Sequence, residues 1–194
     1  MRRWLMLLFV FALTAPAAGA APDSDIIVSA RKEGPEILID VDCPVQAPLS
    51  VIWDVLTDYD HMSAFISTVE YSAIEARRGK LLVVRQKGKT KVGLLTFSFE
   101  GVREVEIIDR VEIRSHYISG DLEASAFTTR VIDVGGVPHI VNIGRYVPRQ
   151  WIPPLVGPAV ISGETRRQFE DIRKEILRRS ATRSASGSGT PAGR

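Results

Sequence analysis

Three histidines, one cysteine and a few clustered carboxylates are the residues of this chain that could carry covalent or acid–base chemistry. His61, His116 and His139 lie too far apart for any pair to have the spacing that sets two imidazoles on one helix face around zinc. Neighbouring strands could still bring two of them together. His61 closes the run Asp58-Tyr59-Asp60-His61, where a carboxylate could orient and charge the adjacent imidazole for proton transfer. The competing and favoured use of those aspartates is to cap the short helix that follows. Cys43 is flanked by apolar strand residues with no histidine nearby, which favours a buried structural thiol over a nucleophile. Being the sole cysteine, it forms no internal disulfide, so the fold must stand on packing. No nucleophile elbow, phosphate-binding loop or dinucleotide loop is present, and neither metal nor cofactor is expected.

The elements that must position these groups read as α+β. Glu36–Asp42 alternates Ile37, Ile39 and Val41 with Glu36, Leu38 and Asp40, the pattern of a half-buried strand. Pro48 opens a short helix carrying Leu49, Ile52, Trp53, Val55 and Leu56, and Met62–Phe65 forms a further turn. Period-two segments follow at Val69–Ala76, Lys80–Lys89, Leu94–Val105, Ile107–Ile118, Glu123–Val134 and Pro138–Val147, with Gly135-Gly136 as the clearest hairpin signal. The last element, Pro154–Arg179, is the one long amphipathic helix. Val160, Thr165, Phe169, Ile172 and Ile176 fall along one face, and Gly157-Pro158 predicts a bend or restart. A lone helix after a run of strands must lay its apolar face on the sheet. The expected architecture is therefore a curved antiparallel sheet of six to seven strands around the C-terminal helix, with a ligand site between the two.

Residues 1–20 read as a secretory signal: Arg2 and Arg3, the apolar run Trp4–Leu13, then Ala18-Gly19-Ala20. An uncleaved N-terminal anchor is the alternative. Removal of Arg2 and Arg3 leaves 23 Lys+Arg against 23 Asp+Glu, so the sequence pI of 8.8 overstates the basicity and nucleic acid is not expected as a partner. Residues 21–34 form a polar lead-in, with Ile26-Ile27-Val28 as a short edge strand. Residues 35–179 form one domain, and 180–194, rich in Ser, Gly, Ala and Thr, a disordered tail. The protein is expected in the periplasm or secreted, as a monomer.

The run from Cys43-Pro44-Val45-Gln46-Ala47-Pro48 through Val51-Ile52-Trp53-Asp54-Val55-Leu56-Thr57-Asp58-Tyr59 to Phe65-Ile66 resembles the opening of START-like proteins. The branch it is most similar to is the polyketide cyclase/dehydrase and coenzyme-Q-binding group. Gln86-Lys87-Gly88, Phe97-Ser98-Phe99, Gly120-Asp121-Leu122 and Pro153-Pro154 also fit, over roughly Glu36 to Arg179. The resemblance implies the helix-grip fold and binding of a hydrophobic molecule such as a lipid, quinone, sterol or polyketide.

The expectation is a non-catalytic carrier whose ligand site draws on Trp53, Phe97, Phe99, His116, Phe127, His139, Tyr146, Phe169 and Ile172. The polar strand residues Tyr117, Arg130 and Asn142 are further candidates, although alternation lets only about half of such groups point inward. An enzyme of the cyclase or dehydratase kind, using His61, His116, His139 or Tyr146, is the second reading. The third is a module docking on a membrane or partner through Arg85, Lys87, Lys89 and Lys91, which share one strand face. The alternative for that stripe is an edge strand kept soluble by its lysines. Trp151-Ile152-Pro153-Pro154-Leu155-Val156 reads as packing against the sheet, with a lid or membrane loop as alternatives.

Overall fold

The computed structural model describes residues 25–92, 95–149 and 157–187. The signal segment and the Trp151–Val156 lead lie outside them. Among the described residues eight strands form one antiparallel sheet: β1 Ile27–Glu33, β2 Glu36–Pro44, β3 Val69–Arg78, β4 Leu81–Val92, β5 Leu95–Ile108, β6 Glu112–Gly120, β7 Leu122–Val134 and β8 Val137–Pro148. The helices described beside them are α1 Leu49–Leu56, α2 Met62–Phe65 and α3 Pro158–Gly187, with a 3-10 turn at Tyr59–His61. The strand order is β1-β2-β8-β7-β6-β5-β4-β3. The α1–α2 connection thus carries the chain from β2 to the far edge, and five hairpins bring it back to pair β8 with β2. The strand beyond the expected six to seven is β1, longer than the short edge piece read from Ile26-Ile27-Val28.

Alternation sets the two faces. Ile37, Ile39, Val41 and Cys43 of β2 are buried on the concave side, while Asp40 and Asp42 stand on the convex one. Burial pushes the Cys43 thiol up to about 12, as fits a structural cysteine. α3 runs along the concavity with Phe169, Ile172 and Ile176 buried, and Val51, Ile52, Trp53, Val55 and Leu56 of α1 join the same core.

Two boundaries differ from expectation. One strand ends at Ile108 and the next begins at Glu112, because Asp109 and Arg110 both take positive φ (43° and 57°) in a tight turn. This turn is held from outside: Lys80 Nζ lies 2.8 Å from Asp109 Oδ1, and Arg110 3.3 Å from Asp54 Oδ1. At the other end α3 begins at Pro158, where a fixed φ and a missing N–H suit a first helical turn. It continues to Gly187, so residues 180–187 are helical where the sequence reads as tail. Arg183 pairs with Asp54 at 2.7 Å, and Thr182, Ser184 and Ser186 return their hydroxyls to carbonyls one turn back.

The favoured capping role of Asp58 and Asp60 is also corrected. Neither makes a side-chain cap bond. Asp60 accepts from Ile74 N at 2.7 Å. Asp58 is bonded by His61 Nδ1 at 2.6 Å and by Arg179 at 2.7 Å, tying the 3-10 turn to α3. Burial works against the Asp58 charge, but those two bonds outweigh it and lower its pKa, while Asp58 raises that of His61.

Arg178 and Arg179 both bond Glu175, which is buried on α3, and hold its carboxyl down at about 2 against 4.5 for a free glutamate. A depressed carboxylate stabilises the fold above its unfolded pKa, and that contribution is lost as pH falls from about 4.5 towards 2. Acid titration of thermal stability should therefore show a decline across that window. Glu175→Gln should flatten it by a few kcal/mol at most. An identical acid profile in the variant would contradict the ion-pair account.

Candidate functional site

Between the concave sheet and the first four turns of α3 lies a hollow with two lobes. The outer lobe, about 480 Å³, is walled by Val69, Phe97, Phe99, Leu122, Tyr146, Pro148, Val160 and Ile161. The inner lobe, about 210 Å³, is walled by Leu56, Met62, Ile66, Ile113, Phe127, Phe169 and Ile172. Ile39, Gln86, Arg103, Thr165 and Gln168 border both lobes and form the waist between them. Volumes of this size, lined by apolar side chains together with a comparable number of polar ones, suit a small-molecule ligand with both kinds of surface.

The waist is built from β4 and β5. Gln86 Nε2 donates to Ser72 Oγ at 2.9 Å, and Ser72 Oγ in turn donates to the Tyr59 carbonyl. The fixed amide presents its Oε1 to Arg103, which donates to it. Burial is the main influence on Arg103 and disfavours its charge, and the surface it retains faces the hollow. Deeper in, Asn142 Nδ2 donates to Thr129 Oγ1 at 2.7 Å beside Ser115. Near the outer end Thr90 donates to Glu164 of α3, bridging sheet and helix. Burial raises the Tyr146 hydroxyl to about 12, so at neutral pH it stays a donor and not a base.

The structure places six of the nine expected residues on the hollow: Phe97, Phe99 and Tyr146 in the outer lobe, and Phe127, Phe169 and Ile172 in the inner one. Trp53 does not line it; its indole is packed in the core. His116 and His139 are turned away. Buried Ile113 and Ser115 fix the inward parity of β6, leaving His116 exposed on the convex face. Buried Ile140 does the same for β8, and His139 bonds Asp42 at 2.6 Å on that face. Of the further candidates Asn142 points inward, whereas Arg130 pairs outside with Glu112 and the Tyr117 hydroxyl oxygen accepts from Leu122 N. Arg103 and Gln86 were not among the expected site residues. The signal for Arg103 was available, since stepping by two from Phe97 through Phe99 reaches it on the same face.

The basic stripe shares one face, but β4 is an internal strand, not an edge. Arg85 is paired with Glu75 and Glu100, Lys87 with Glu100 and Lys89 with Glu70. Glutamates on both neighbouring strands thus balance three of its four cations.

A curved antiparallel sheet gripping a C-terminal helix around an internal hollow defines the helix-grip class of ligand-binding folds. Residues 45–125 match the family model described as polyketide cyclase/dehydrase and lipid transport. No curated protein matches the chain. Among solved structures, a STAR-related lipid transfer protein from Xanthomonas axonopodis is 11% identical, covering 81% of this chain and 97% of its own at a TM-score of 0.66. A protein from Thermus thermophilus is 17% identical over 74% of this chain and 99% of its own, with a TM-score of 0.63. The Zhui aromatase/cyclase from Streptomyces sp. R1128 is 15% identical over 80% and 99%, with a TM-score of 0.55. The match covers less than half of the chain, and the likeness to these solved structures shows the helix-grip fold.

Proposed function

We propose that the protein is an exported carrier that binds a hydrophobic small molecule in the two-lobed hollow and releases it unchanged. The observation that carries this reading is the hollow itself, set between sheet and α3 and walled in large part by aromatic and aliphatic side chains. Burial of apolar ligand surface contributes about 25 cal/mol per Å², enough to hold a lipid-sized molecule without covalent chemistry. The carrier role is favoured over the cyclase or dehydratase role because His116 and His139 stand on the convex face and His61 is solvent-exposed. The name of the Xanthomonas relative, a lipid transfer protein, points the same way. Export rests on the Arg2–Ala20 segment alone.

Native mass spectrometry of the purified protein, followed by organic extraction, tests the reading. A non-covalent adduct that extracts as an apolar compound, and survives incubation with fresh protein, is the expected result. Time-dependent conversion of that compound into a product would overturn the carrier in favour of an enzyme. Failure to bind any neutral solvatochromic dye would overturn ligand binding altogether.

A further inference from the structure

Charge is unevenly distributed along the hollow. Among the described residues, the charged side chains bordering it are Arg103 at the waist and Asp121 and Glu164, both on the outer lobe alone. The two carboxylates are engaged. Glu164 takes the Thr90 hydroxyl and pairs with Arg167 at 3.0 Å, and Asp121 accepts from Glu100 N at 2.7 Å. Arg103 bonds the neutral Gln86, and no carboxylate among the described residues acts on it. A guanidinium keeps its proton at neutral pH, so a cation stands in the wall with most of its N–H groups unclaimed. Such a charge is costly unless paired, and a carboxylate meeting it through two parallel bonds is its best-matched partner. Just inside the waist the Asn142 carbonyl oxygen and the Ser115 hydroxyl have no protein partner among the described residues. They call for polar ligand atoms or water.

We infer that the hollow takes an amphiphile with a single carboxylate head, bound head-in. The head sits on Arg103 at the waist, and the apolar body lies outward along Phe97, Phe99, Leu122 and Tyr146. This deepens the carrier reading and rests on it. The opposite orientation would set the carboxylate beside Asp121 and Glu164 and press hydrocarbon against an unpaired guanidinium. Both placements are unfavourable.

Displacement of a neutral solvatochromic dye from the full chain by hexadecanoic acid and by its methyl ester, at neutral pH and below aggregation, tests the inference. The acid is expected to displace the dye at a concentration about tenfold lower than the ester. The preference should collapse to about onefold in Arg103→Gln and be partly retained, at about threefold, in Arg103→Lys, which keeps the charge without the fork. Circular dichroism checks that each variant is folded, and if Arg103→Gln is not, the wild-type ratio and Arg103→Lys decide. Equal displacement by acid and ester in the wild type overturns the carboxylate head while leaving the carrier reading intact. An undiminished preference in the folded variants overturns the assignment to Arg103. Dye that never binds, with neither probe detected by direct titration, overturns the carrier reading itself.

Discussion

Replacing Phe169 by alanine should lower the unfolding free energy by about 3 kcal/mol, at the lower end of the 3–5 kcal/mol usual for a buried phenylalanine. The ring is 7% exposed on the sheet-facing side of α3, where it helps to hold the helix against the core. It also borders the inner lobe of about 210 Å³, so one side of it already faces empty space and fewer contacts are lost on truncation. A single domain of this size is stable by about 5–15 kcal/mol, so the loss is a large share of the total. Equilibrium urea denaturation measures it, with the slope expected to stay constant. A change below about 1 kcal/mol would show that the ring does not pack as described. The same substitution joins the vacated volume to the inner lobe, and a bulkier dye should then bind better than to the wild type.

Gly88→Ala should cost about 2–3 kcal/mol, through collision and not through a strained φ. A Cβ here would fall within contact distance of the Thr68 carbonyl oxygen and lie 2.7 Å from Cε1 of Phe99. Phe99 is 37% exposed and its ring can swing aside. The Thr68 carbonyl cannot, because it already accepts from Lys89 N at 3.0 Å in the β3–β4 pairing. The variant must therefore part β3 from β4 beside the outer lobe, so stability and dye affinity should fall together. Gly163→Ala is the contrasting case: it sits in α3 with nothing within 4 Å of the added methyl. There the gain in helix propensity should raise stability by about 0.5–1 kcal/mol. If Gly88→Ala melts no earlier than wild type, the close approach of Thr68 and Gly88 is wrong.

Much of the fold was legible from periodicity. The alternation of Ile37, Ile39 and Val41 marked β2, Gly135-Gly136 marked the β7–β8 hairpin, and the spacing of Val160 to Ile176 marked the inner face of α3. The features that were not legible depend on partners far away in the chain. Asp109 and Arg110 make a turn without glycine, sustained by Lys80 and Asp54. The helix extends past Arg179 through residues of poor helix propensity because Arg183 reaches Asp54. In the site the aromatic walls were found by type, since large apolar side chains on a bent sheet have few other places to go. His116 and His139 were chosen for their chemistry, yet parity with Ile113 and Ile140 turns them outward. The type of Arg103 gives no such signal, since a cation favours solvent, and only the step from Phe97 and Phe99 argues for the inward face.

Among the described residues the eight-stranded sheet has β1 and β3 as its borders, and each is a template on which a second chain could add a strand. Both are blocked at a backbone polar group by a side chain from a helical segment. Arg166 of α3 donates to the Ile26 carbonyl at the start of β1, and Asp60 of the 3-10 turn accepts from Ile74 N on β3. Helical segments that border the hollow thus each occupy one position at or beside a border where an added strand would otherwise bond. In a curved sheet the helices that line the hollow therefore also reach the borders.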